Sequence, residues 1–161
     1  MREEWRAEQE SATLDAAEQW RHSRTLLDIA REHMHRGDRV AVTVAGHRAV
    51  GEIIEVANDR IAVMDDGARV DVHVIDAIPF ACTVVERARA GGRSSTRTAS
   101  VRARLLELES AGAPVAIATA LGPDRFTGAM RVGTDIVVIV APTGVATAIA
   151  LPAVASVAAA G

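Results

Sequence analysis

The chain contains no lysine and no tyrosine, one asparagine and one cysteine. Each scarcity excludes something. All 18 basic residues are arginine. With alanine, valine and glycine abundant, that is the codon usage of a GC-rich bacterial genome, so arginine need not mark sites of bidentate recognition. Cys82 has no second cysteine to bridge to, which fits a reducing compartment. Its setting, FACTVV, is that of a buried inert thiol rather than a nucleophile. The only aromatic residues are Trp5, Trp20, Phe80 and Phe126, which leaves little for stacking nucleobases. No apolar run approaches the roughly 18 residues of a membrane span. The opening MREEWRAEQE has no apolar signal core. A cytoplasmic location with no membrane contact is expected.

What is present is a large apolar fraction, 49 %, in a chain of 161 residues. That is enough for one ordinary domain or two small ones packed together. The net charge is −3, yet residues 87–104, RARAGGRSSTRTASVRAR, hold six arginines and no acid. This is the one positive segment of the chain.

Hydrophobic periodicity divides the sequence. Residues 3–20 are polar and helix-prone, with Trp5 and Trp20 expected to pack on the body. Ser11 or Thr13 is a candidate cap. From Thr25, the residues Leu26, Leu27, Ile29, Ala30 and Met34 recur at helical spacing, and Gly37 ends the helix. The period then changes to two. Val40-Val42-Val44, a run from Val50 to Val56, Ile61-Val63, Val70-Val72-Val74 and FACTVVE read as five strands. The turns between the first four are AGHR, Asn58-Asp59 and Asp65-Asp66-Gly67.

Residues 100–161 run the same course. Leu105-Leu106 and Leu108 match Leu26-Leu27 and Ile29, and Val115 matches Val40. Gly128 matches Gly51, Asp135 matches Asp59, and Gly144 matches Gly67. The expectation is an internal duplication. It gives a mainly β fold with helices: a helical extension (1–23), a helix with a first five-stranded small barrel (24–86), an Arg/Gly/Ser-rich linker (87–99), and a helix with a second small barrel (100–161).

Helix followed by five short strands, with a glycine early in the second, resembles Sm-like and SH3-like small barrels. VAVTVAGHRAVGEIIEVANDRIAVMDD resembles the first Sm signature in its spacing. The resemblance implies RNA binding through two loops. One has Asp and Asn flanking a stacking side chain, and the other has an Arg-Gly. Here the first loop has Asn58 and Asp59 but no aromatic residue, and Ile75–Pro79 lacks Arg-Gly. The RNA pocket of that family therefore does not carry over.

Other constellations read as structural. His33 and His35 point about 200° apart on a helix and cannot share a metal. Asp65-Asp66-Gly67 is turn chemistry. No nucleophile, phosphate-loop or zinc motif occurs, so no enzyme activity, metal or cofactor is expected.

Two functions are carried forward. The first is a non-enzymatic interaction, scaffold or regulatory module, with a protein partner or self-association through the apolar second barrel. From 113 to 161 that barrel's only charged residues are Asp124, Arg125, Arg131 and Asp135. Strands apolar on both faces require cover on both. The alternative is a regulator binding RNA or DNA through Arg87, Arg89, Arg93, Arg97, Arg102 and Arg104. Such an arm would contact phosphates with steep salt dependence. Phosphorylation among Ser94, Ser95, Thr96 and Thr98 would cancel its charge.

Overall fold

A computed structural model describes residues 2–89, 91–92 and 99–160. It begins with two helices, α1 (Arg2–Ser23) and α2 (Leu26–Arg36). Five strands follow: β1 (Arg39–Val44), β2 (His47–Val56), β3 (Arg60–Asp65), β4 (Ala68–His73) and β5 (Phe80–Glu86). Helix α3 (Val101–Ala111) opens the second half. Then come β6 (Val115–Thr119), β7 (Arg125–Val132), β8 (Ile136–Val140), β9 (Ala146–Ala150), a single 3₁₀ turn (Leu151–Ala153) and β10 (Val154–Ala159). No helix is long and apolar enough to cross a membrane among the described residues.

The strand positions follow the expected ones closely, because tight turns fix them. Ala45-Gly46 and Asp66-Gly67 each put two successive residues at positive φ, the geometry of two-residue hairpins. The helix starts differ from expectation. Thr25, not Ser11 or Thr13, is the cap: its hydroxyl accepts from the Asp28 N–H, and the Asp28 carboxylate accepts from the Thr25 N–H. Thr13 instead lies inside α1, its hydroxyl bonded to the Gln9 carbonyl. Gly37 ends α2 in the left-handed region, as its position implies.

The two halves are built alike. Ala45 N–H donates to Pro79 O, and Ala120 N–H to Ala153 O. Ala57 N–H donates to Arg60 O, and Gly133 N–H to Ile136 O. Val74 N–H donates to Asp59 O, and Leu151 N–H to Asp135 O. A Cβ on Gly51 would fall on the Met64 carbonyl, and one on Gly128 on the Val140 carbonyl. Both second strands therefore need glycine to pass close to the third.

The ten strands form one unclosed antiparallel sheet, in the order β5-β1-β2-β3-β4-β10-β6-β7-β8-β9. Among the described residues neither half closes by strand pairing into a barrel of its own. β4 pairs instead with β10, placing Val72 opposite Ser156, Asp71 opposite Val157 and Val70 opposite Ala158. Two apolar clusters result. One gathers α2 and β1–β4, with Ile53, Ile61 and Val72 among its members. The other gathers α3 and β6–β10, with Leu105, Ile117 and Ile139. Ala155 of β10 belongs to the first cluster, so the halves interlock.

α1 does not follow the expected packing. None of its 22 residues is buried. Trp5 and Trp20 are 67 % and 59 % exposed. Their spacing supplies no continuous apolar stripe along the helix, so α1 has no face to lay on the body. The Arg24 guanidinium lies over Trp20, 4.6 Å from its ring centre.

Candidate functional site

The six arginines of the basic segment do not form one surface. Arg93 and Arg97 lie outside the described residues. Arg87 and Arg89 are exposed just beyond β5. The chain there is tied to the end of α2. Ala88 N–H donates to Asp38 Oδ1 at 2.9 Å, and Gly92 N–H to His35 O at 2.8 Å. A side chain at Gly92 would meet the Met34 carbonyl, so only glycine lets the strand lie that close. The Ala88 amide, then the His33 ring at 2.9 Å, holds the Asp38 carboxyl below its ordinary pKa. Between this strap and the sheet lies a groove of about 550 Å³, bordered by Arg39, Arg87 and Arg89 but also by Glu52 and Glu86.

Arg102 and Arg104 do other work, at the start of α3. Arg102 donates from Nε to the Gly133 carbonyl at 3.1 Å. Arg104 donates from Nε to Asp71 Oδ2 at 2.8 Å and from an Nη to Glu107 at 3.1 Å. Arg104 thus meets both an acid of its own helix and an acid of the first half.

Asp71 leads to a buried charge network that the sequence reading did not find. Arg60 is 1 % exposed, yet every edge of its guanidinium has a partner. It donates to Glu55 at 2.6 Å, to Asp71 at 2.8 Å and, from Nε, to the Ala99 carbonyl at 3.0 Å. Arg69 bridges the same two acids, reaching Glu55 at 2.9 Å and Asp71 at 3.0 Å. Burial alone would push the Asp71 carboxyl up. Hydrogen bonds from Arg69 and Arg104 outweigh it and hold the group below its ordinary value. Glu55 behaves alike: burial raises it, while Arg60 and Arg69 pull it down further. A signal did exist. Glu55, Ala62 and Asp71 stand in one cross-strand row. With Arg60 and Arg69 beside them, a Glu, an Asp and two arginines gather on three adjacent strands. Ala99 and Arg104, at the start of α3, close over that network, an approach no local pattern announced.

The network sits where the two halves meet, and other polar contacts surround it. Asp59 Oδ1 accepts from the Val101 N–H at 3.0 Å, capping α3 from the β2–β3 turn. Asp59, one of the two turn residues that resembled an RNA loop, is thus committed to joining the halves. His47 Nε2 lies 3.1 Å from Thr119 O and 3.2 Å from Gly122 O. His73 Nδ1 lies 2.9 Å from Val154 O. Among the described residues no group of His, Cys, Asp and Glu is placed to hold a metal ion. Cys82 is half-buried, and burial raises its thiol pKa, which lowers its reactivity.

No family model, no curated protein and no solved structure matches this chain.

Proposed function

We propose that the chain is a non-enzymatic cytoplasmic interaction module, a scaffold assembled from two copies of one small Sm-like or SH3-like unit (24–86 and 100–161). The shared strand order, the three matched backbone hydrogen bonds and the paired glycines Gly51 and Gly128 support the duplication. The buried network supports a rigid body, because it ties α3 to the first unit.

The observation that carries the interaction reading is α1. A 22-residue helix with no buried residue leaves Trp5, Leu14 and Trp20 exposed as separate apolar anchors for a protein partner. The basic segment serves mainly as the connection between units: Arg102 and Arg104 are engaged internally, and its first turn is strapped to α2.

One observation favours the alternative, nucleic-acid binding: Arg39, Arg87 and Arg89 border one groove. A titration with labelled single-stranded RNA and duplex DNA separates the two readings. The scaffold reading expects no binding even at about 50 mM salt, where phosphate contacts are strongest. Binding that falls steeply with salt, and is lost when Arg87, Arg89, Arg93 and Arg97 become Gln, would replace it with a nucleic-acid regulator. Arg102 and Arg104 stay unchanged in that variant, so that a loss reports on contacts and not on folding.

A further inference from the structure

Five charged side chains border the groove between the strap and the sheet. Among the described residues no ion pair joins any of them to another. Three belong to one cross-strand row: Arg39 of β1 stands opposite Glu52 of β2 on one side and Glu86 of β5 on the other. Arg87 and Arg89 follow β5 into the strap. Opposed charges on adjacent strands are placed to pair. These do not, so their donors and acceptors stay open to another molecule.

The strap itself is a built wall. Asp38, 1 % exposed, accepts from the Ala88 N–H, and the buried His33 ring holds the other oxygen of that carboxylate. Two glycines let the strap lie against the end of α2. A Cβ on Gly37 would fall 2.9 Å from the Gly92 Cα, and one on Gly92 would fall 2.2 Å from the Gly37 nitrogen. The groups that hold the strap are withdrawn from water, while the arginines it carries face the groove's solvent side.

The charges fix the chemistry of a ligand. A guanidinium only donates hydrogen bonds, and a carboxylate only accepts them. A ligand that meets both carries an anion for the arginines and neutral donors for Glu52 and Glu86. Inorganic phosphate supplies the anion, but the two carboxylates repel it. A free sugar supplies hydroxyl donors with no charge for the arginines. An aromatic base finds no platform, because the rest of the lining is Ala88 and three glycines. A phosphorylated sugar supplies anion and hydroxyls in one molecule. The volume, about 550 Å³, lies in the range of small-molecule sites. We propose that this groove binds a sugar phosphate, its phosphate held by Arg39, Arg87 and Arg89 and its hydroxyls donating to Glu52 and Glu86. The site goes beyond the scaffold reading and does not depend on it.

Isothermal titration of the full chain with ribose 5-phosphate and glucose 6-phosphate, beside ribose and inorganic phosphate, tests the assignment. At least one of the sugar phosphates is expected to bind at about 1 mM or tighter. Ribose and inorganic phosphate are each expected to bind at least about tenfold more weakly. Arg87→Gln with Arg89→Gln, both exposed, is expected to weaken the sugar phosphate by at least about tenfold. Glu52→Gln with Glu86→Gln is expected to act in the opposite sense on inorganic phosphate, which it binds more tightly than the unaltered chain does. A variant that merely fails to fold cannot produce that gain. AMP carries the same phosphorylated ribose with a base added, and is expected to bind no more tightly than ribose 5-phosphate. No binding of either sugar phosphate up to about 10 mM, binding unchanged in the arginine variant, or inorganic phosphate bound as tightly as its sugar esters overturns the proposal. Tighter binding of AMP overturns it in favour of a nucleotide. The scaffold reading, carried by α1, stands under each of these outcomes.

Discussion

Arg60 is anchored on all three sides by Glu55, Asp71 and the Ala99 carbonyl, and each of those groups is withdrawn from water with it. Removing one partner of a buried pair costs more than the pair contributes, because the other charge is stranded. Arg60→Leu is therefore expected to destabilise the fold by about 3 kcal/mol, read as a lowered midpoint in urea. A loss no larger than that of an exposed substitution such as Arg48→Leu would mean that Arg69 and Arg104 suffice for both acids. The network also sets an acid limit. Asp71 and Glu55 titrate lower in the folded chain than in the unfolded one. Their contribution is complete above the unfolded values, about 4, and is lost as pH falls through the lower folded values. The urea midpoint should hold from neutral pH down to about 5 and fall below about 4. Asp71→Asn should flatten that fall. An equal acid slope in the variant would contradict the assignment.

At the scale of elements, the account separates pieces that hold the body from one that does not. Deleting residues 2–23 is expected to leave the thermal midpoint of the body nearly unchanged, because α1 buries nothing. A large drop in circular-dichroism melting would show that α1 packs on the sheet. Gly51→Ala and Gly128→Ala are each expected to cost about 1–3 kcal/mol, since the added methyl meets a carbonyl of the third strand in both units. Unequal tolerance at the two sites in urea melts would weaken the duplication. These elements were the legible part of the sequence. Period-two valines, Asp66-Gly67 and Gly37 act locally, so they mark strands and ends without knowledge of the rest. The caps were less legible, because Ser11, Thr13 and Thr25 offer the same hydroxyl, and only the reciprocal Asp28 contact selects Thr25. The fate of Trp5 and Trp20 and the burial of Arg60 depend on which faces are covered. Coverage is set by the β4–β10 pairing and by α3, contacts between residues far apart in sequence.

At the scale of the whole molecule, the sequence pointed to two small barrels and the structure holds ten strands in one open sheet. The difference lies in a single pairing: the fourth strand finds its neighbour in the other unit. That choice explains why the second half is apolar beyond the needs of its own core, as the open β9 end presents Ile136 and alanines where the middle presents Arg60 and Asp71. The most direct test of a self-associating scaffold is sedimentation velocity of the full chain over a range of concentrations, beside Ala81→Lys on the open β5 edge of the sheet. Ala81 is exposed, so lysine there leaves the single chain folded, while its counterpart in the middle junction, Ser156, is buried. A charged edge residue blocks strand addition. The account expects the unaltered chain to sediment as an oligomer and Ala81→Lys as a single chain. A wild-type protein that stays a single chain at every concentration would contradict it.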